Sequence, residues 1–286
     1  MARALDRFLL LQPRWLPTVL LIPILYGLGW IEAKSLSFVG LSESRVSLVG
    51  TGLSFVMFLL LMPRWASRRW SEHHPWRRLG LRKLQMSHRG NNLAAFCGGL
   101  LIAKGLLALI VGLICLNGWG HWHGEFSLND LLNALVLCLG VGLAEELIFR
   151  AWLSTELTML LGPMAGMIGQ AGLFSLVHTR FNLGLAAMAG LLSGLLLLGL
   201  VLALLRRMQQ GSLWGCIGLH GGLVGGWFML QSGLLDVSAQ TPAWLMGPGG
   251  LHANPLGSLV GIGALSIIFF IQLLLLNQGR LNGSTP

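Results

Sequence analysis

Two adjacent glutamates, Glu145 and Glu146, close an apolar run from Leu131 to Phe149 and are followed by Arg150. Charges at membrane depth are costly, so a chain that places three there has a use for them. On a helix, residues four apart share a face while neighbours diverge by about 100°. Glu146 therefore reaches Arg150, in the stabilising order of charges, and Glu145 points elsewhere. One carboxylate is neutralised and one is available to take a proton from water. Two histidines complete the set. In Phe174-Ser175-Leu176-Val177-His178 the same spacing lays the Phe174 ring beside the imidazole. His220 lies among Gly218, Gly221, Gly222, Gly225 and Gly226, small residues that let helices approach closely and so put this helix in the centre of a bundle. A carboxylate with two imidazoles suits general-base activation of water. It also matches a two-histidine, one-carboxylate zinc set, and it equally describes a buried polar network that only packs. The spacing alone leaves all three open.

The elements that must position these groups are membrane helices. Hydrophobic residues make up 54% of the chain and charged residues 10%, with a mean hydropathy of +0.72, far from a soluble globular composition. Apolar windows near Leu16–Ile31, Val46–Met62, Leu93–Asn117, Leu131–Phe149, Pro163–Val177, Leu183–Leu205, Leu213–Leu230 and Leu256–Leu276 predict an all-α polytopic transmembrane bundle of about eight helices. Leu191–Leu205 is apolar almost without interruption, unlike the alternating strand of a barrel. No small-residue cleavage pattern follows Trp30 and Ile31, so the first window reads as a retained helix. The expected organisation is N-terminal helices with a basic loop (1–125, loop 63–92), a polar-bearing helical core (126–232), and an outer loop with the final helix (233–286).

Arg64, Arg68, Arg69, Arg77, Arg78, Arg82, Lys83 and Arg89 fall between the second and third windows, which puts that loop on the cytoplasmic side, and with an even number of spans both termini too. Trp65, Trp70 and Trp76 in the same loop suit an anionic lipid surface. The basic pI, about 10.7, therefore reflects topology and lipid contact, and no nucleic-acid partner is expected. Cys97, Cys115, Cys138 and Cys216 lie in apolar windows and behave as small hydrophobes. His121, Trp122, His123 and Glu125 are read as interfacial residues of an outer loop rather than metal ligands, and Lys104 is given no role.

The runs Glu145-Glu146-Leu147-Ile148-Phe149-Arg150 and Phe174-Ser175-Leu176-Val177-His178, followed by His220, resemble the EExxxR, FxxxH and third-helix histidine motifs of the CAAX protease and bacteriocin-processing (CPBP, or Abi) family of intramembrane proteases, and within it the type II CAAX prenyl endopeptidases. The resemblance covers roughly Leu131 to Leu230. It implies an endopeptidase acting on a hydrophobic or lipid-modified membrane protein, with a CAAX-type prenylated chain as one candidate. By the same resemblance Glu145 is the general base, His178 orients the water, and His220 donates to the carbonyl oxygen. The Glu146–Arg150 pair positions the helix, and Phe174 lies on the substrate side. No cofactor is expected, because Glu146 is committed to Arg150 and no HExxH helix is present; zinc at His178, His220 and Glu145 is the alternative. The family carries Asn or Asp four residues after its last histidine, where this chain has Val224, so a catalytically weak scaffold that binds a partner protein is the rival function. A proton-coupled transporter ranks last, since no paired broken helices occupy matching places in two halves. The C-terminal Asn282-Gly283-Ser284-Thr285-Pro286 is not itself a prenylation signal.

Overall fold

The structure is a computed structural model that describes residues 2–38, 40–82, 91–247 and 254–281. Lys83 and Arg89 of the basic loop, part of the Gln231–Asn254 stretch, and the C-terminal run from Asn282 lie outside the described residues. The chain divides into two compact units, Met1–Arg78 and Leu79–Pro286.

The first unit is a helical hairpin with basic ends. An amphipathic helix α1 (Ala2–Leu9) leads to α2 (Leu16–Ser37) and α3 (Glu43–Trp65), which continues through a π turn (Ala66–Trp70) to the short α4 (Pro75–Arg78). Where α2 and α3 pack, a Cβ on Gly29 would strike Ser54 Oγ and the Gly50 carbonyl, so the crossing depends on that glycine. Asp6 ties α1 to the end of α3 through Arg64 Nε (2.8 Å) and Arg68 Nη2 (2.8 Å).

In the second unit α5 (Asn92–Leu116) precedes a strand β1 (Gly120–Trp122). The long helix α6 follows (Leu128–Leu161), started by a reciprocal Ser127–Asp130 capping box and interrupted by π segments at Leu137–Val141 and Glu146–Leu153. Next come α7 (Pro163–Leu176), α8 (Leu185–Met208), α9 (Trp214–Met229), a strand β2 (Leu235–Val237), a single turn α10 (Ala243–Met246) and α11 (Leu259–Leu281). β1 and β2 form an antiparallel ribbon that sets His121 opposite Asp236.

Six helices among the described residues are long and apolar enough to cross a membrane: Leu16–Ser37, Glu43–Trp70, Asn92–Leu116, Leu128–Leu161, Leu185–Met208 and Leu259–Gly279. The protein is thus a helical, multi-pass membrane protein, but the expected eight spans reduce to six. The two that fall away are α7 and α9, of 14 and 16 residues. At 1.5 Å per residue α7 rises only about 21 Å, short of the roughly 30 Å hydrocarbon core, while α9 runs on into a π segment at Leu230–Leu234 that breaks at Gly233. Apolar composition alone did not separate short internal helices from spanning ones.

Helix α9 is the axis of the unit, and every residue from Gly215 to Leu223 is buried. Its glycines let two neighbours in. A Cβ on Gly218 would meet the Phe96 carbonyl of α5, and one on Gly221 the Cys138 carbonyl of α6. Helix α5, placed by sequence with the N-terminal helices, is therefore a wall of the core. Leu191, Leu195, Leu198 and Leu202 of α8 and Leu219 and Leu223 of α9 form one buried cluster around Phe174. The four cysteines are unpaired, and Cys216 at the α8–α9 contact is fully buried.

Candidate active site

The motif residues meet where α6, the end of α7 and the middle of α9 converge. Glu145 ends an α-helical turn of α6, and Glu146 begins its second π segment. Single-turn π segments change the register in which a helix presents its side chains and are frequent at functional sites. His178 stands two residues beyond α7, and its Nδ1 lies 2.7 Å from the Phe174 carbonyl, a C-terminal carbonyl with no helical donor of its own. His220 projects from α9 and is 4% exposed.

Glu145 Oε2 is 3.7 Å from His178 Nε2 and 3.8 Å from His220 Nε2. These separations are beyond a direct hydrogen bond but within the reach of one small bridging molecule. Glu146 Oε1 is 2.8 Å from His220 Nδ1 and 3.2 Å from Arg150 Nη1. Both carboxylates thus flank His220, Glu146 at Nδ1 and Glu145 at Nε2. The sequence reasoning gave Glu146 only to Arg150; its second partner was hidden because it comes from a helix 74 residues away.

The partners assign the tautomers. A carbonyl and a carboxylate only accept, so each imidazole donates from Nδ1, His178 to Phe174 and His220 to Glu146. In the neutral rings both Nε2 atoms then present lone pairs, and they face Glu145 Oε2, a buried oxygen with no hydrogen-bond partner. Three acceptors converge with no donor among them, which is a site for a molecule that brings protons or positive charge. With neutral histidines Glu145, Glu146 and Arg150 sum to one negative charge, and the free carboxylate is the one at the opening: the Glu145 side chain is 26% exposed, those of Glu146 and Arg150 0%.

Phe174 forms the wall behind. Its ring centroid lies 4.8 Å from that of His178 and 5.5 Å from that of His220, and the Arg150 guanidinium sits 3.9 Å over its face. The ring is fully buried, so it meets the histidines and Arg150 rather than a cavity surface. Ser175 Oγ donates to the Leu192 carbonyl at 2.6 Å, fastening α7 to α8. Val224, one turn past His220, is half-buried and has no group that could donate. Among the described residues no group of three His, Cys, Asp or Glu side chains is arranged to hold a metal ion. That includes His121, His123 and Glu125 at the ribbon, where His123 Nε2 instead lies 4.0 Å from Asp236 Oδ2. Lys104 is exposed on the outer face of α5, away from the site.

Sequence reasoning missed Arg206. It projects from the last turn of α8 and donates through Nη1 to the Arg150 carbonyl; as one of the basic pair Arg206 and Arg207 at a helix end it gave no signal beyond topology.

Residues 127–225 match the family described as type II CAAX prenyl endopeptidase Rce1-like, a span that holds Glu145, Glu146, Arg150, Phe174, His178 and His220. Residues 2–74 match a domain of unknown function (DUF8676). No curated protein and no solved structure matches the chain.

Proposed function

We propose, from the match of residues 127–225 to the type II CAAX prenyl endopeptidase family, that this chain is an intramembrane endopeptidase in which Glu145 activates a water molecule. The observation that supports it is the convergence of Glu145 Oε2, His178 Nε2 and His220 Nε2, three acceptors on one small space. Water there gives one proton to Glu145 and directs the other to an imidazole, which turns its oxygen lone pair toward a peptide carbonyl carbon. The oxygen attacks, the proton passes to Glu145, and the carbonyl oxygen takes the negative charge. His220 donates a hydrogen bond to that oxygen through Nε2 in its protonated form, with a proton taken up from solvent as substrate enters and returned on product release, while Glu146 holds Nδ1 and Arg150 balances Glu146. Collapse breaks the C–N bond, and the departing amine nitrogen takes the proton from Glu145. The products are a carboxylic acid and an amine, with no covalent enzyme intermediate. The substrate class is a hydrophobic or lipid-modified membrane protein, prenylated CAAX chains among them, since a site at membrane depth takes an apolar chain more readily than a soluble one.

Zinc held by His178, His220 and Glu145 is the alternative to this metal-free route, and chelation separates the two. The test is cleavage of prenylated and unmodified membrane peptides by the purified chain in detergent. Loss with Glu145→Gln and retention under chelation supports the glutamate mechanism; loss on chelation transfers the three residues to a metal. Val224 favours a second reading, a partner-binding scaffold with little turnover. If wild type is silent and Val224→Asn gains activity, on the order of 10²-fold for one oxyanion donor, the scaffold reading holds and the machinery is otherwise intact.

A further inference from the structure

We infer that Arg206 is a positioning residue, which holds the π segment of α6 and the approach to α9 in one register and thereby sets Glu146 against His220. The inference rests on the peptidase reading only for its kinetic consequences.

Arg206 is half-buried in the last turn of α8. Its Nη1 donates to the Arg150 carbonyl, and its Nε donates to the Gly211 carbonyl at 3.2 Å. The Gly211 N–H in turn donates to the Arg206 carbonyl at 2.8 Å. Gly211 belongs to the turn that delivers the chain into α9, so one guanidinium joins α8, the π segment and the entry to the His220 helix.

The π segment turns the α-helical donor of the Arg150 carbonyl away. In an α-helix it would accept from the Ser154 N–H, but that N–H is turned to the Ala151 and Phe149 carbonyls. A buried carbonyl whose α-helical donor has turned away can take a donor from another segment. Arg206 reaches it from a different helix, and so favours the π register over the α register. The register matters because the same residue, Arg150, carries Glu146 at 3.2 Å, and Glu146 holds His220 Nδ1 at 2.8 Å. Relaxation of the segment to α geometry rotates the flanking turns by about 100° relative to each other, enough to break that line. A fork of two donors is also what lysine cannot supply, since its ammonium is a single point.

The test uses the full chain in detergent with Arg206→Gln, Arg206→Lys and the exposed neighbour Arg207→Gln as control. Two measurements are made: peptide cleavage, and the ring-nitrogen spectrum of protein labelled with 15N in histidine, which reads the His220 Nδ1–H bond to Glu146 whether or not peptides are cut. Arg206→Gln is expected to lower kcat about 10²-fold, the order of loss from a misplacement near 1 Å, with KM changed less than about threefold, and to shift the His220 Nδ1 signal. Arg206→Lys, which keeps the charge and one donor, should recover part of both; Arg207→Gln should change neither. An unmoved His220 signal in Arg206→Gln overturns the inference, as does an equal loss in Arg207→Gln. If Arg206→Gln fails to fold, Arg206→Lys decides: an unmoved His220 signal there also overturns it. A shifted signal in a chain whose wild type cleaves nothing sustains the positioning role and rejects the peptidase reading instead.

Discussion

Among the described residues two arginines are buried, one in each unit, and they are held in opposite ways. Arg69 in the first unit gives its protons to neutral acceptors, the Leu9 carbonyl (2.9 Å), the Arg14 carbonyl (2.7 Å) and Thr18 Oγ1 (3.2 Å), with its guanidinium 4.8 Å over the Trp65 ring. It laces backbone segments together. Arg150 in the second unit is set against a carboxylate, under an aromatic face, with Nε, Nη1 and Nη2 making no aligned hydrogen bond. A satisfied buried cation is an architectural part, whereas one set beside a carboxylate and an imidazole without aligned hydrogen bonds is held by charge and by the ring face alone.

The comparison breaks most sharply at Glu145. Glu145→Gln should reduce cleavage by about 10²-fold or more and leave the melting temperature in detergent nearly unchanged, since the side chain is partly exposed. If the melting temperature falls as far as activity, Glu145 belongs with Arg69 as an architectural residue. Arg150→Met should be the largest stability loss, about 3 kcal/mol, because it strands Glu146 as a buried charge. Adding Glu146→Gln should recover much of it, and denaturant unfolding of the single and double variants measures that coupling. Gly221→Ala pushes a methyl group onto the Cys138 carbonyl and should cost about 1–3 kcal/mol together with activity. Gly27→Ala, where nothing lies within 4 Å, should be neutral or stabilising by up to about 1 kcal/mol. Arg69→Ala should cost about 1–3 kcal/mol with kcat per folded molecule unchanged.

The smallest effect is acid sensitivity in the first unit. The Arg64 guanidinium hydrogen-bonded to Asp6 holds its carboxyl below the usual value of 3.8, with Arg68 adding to the effect against some desolvation. A folded-state value lower than the unfolded one stabilises the fold above the unfolded value and ceases to do so as pH falls through the folded one. Wild type and Asp6→Asn should therefore differ in melting temperature at neutral pH and converge well below pH 3.8; parallel curves would show that Asp6 contributes no linkage.

The motif spacings made Glu145, His178 and His220 legible as one group, and the four-residue spacing made the Glu146–Arg150 pair legible, because both are local properties of helices. The apolar composition likewise made the membrane bundle legible. What stayed hidden depends on contacts between distant segments or on helix register. Glu146 turns to His220 across two intervening helices, Arg206 answers a carbonyl released by a π segment, and α7 and α9 are as apolar as spanning helices yet shorter. Nothing in the apolar composition of Pro163–Leu176 announces that its helix is only 14 residues long, except the His178 ring that closes its end.

That short helix bears on the lipid around it. A bilayer must thin, or the helix must tilt against its neighbours, where an element of about 21 Å meets hydrocarbon of about 30 Å. Because His178 stands two residues beyond α7, deformation of the surrounding leaflet is expected to move the imidazole. Acyl-chain length in a reconstituted membrane is then expected to act on the spacing between His178 and Glu145, with thinner bilayers relieving the mismatch and thicker ones increasing it.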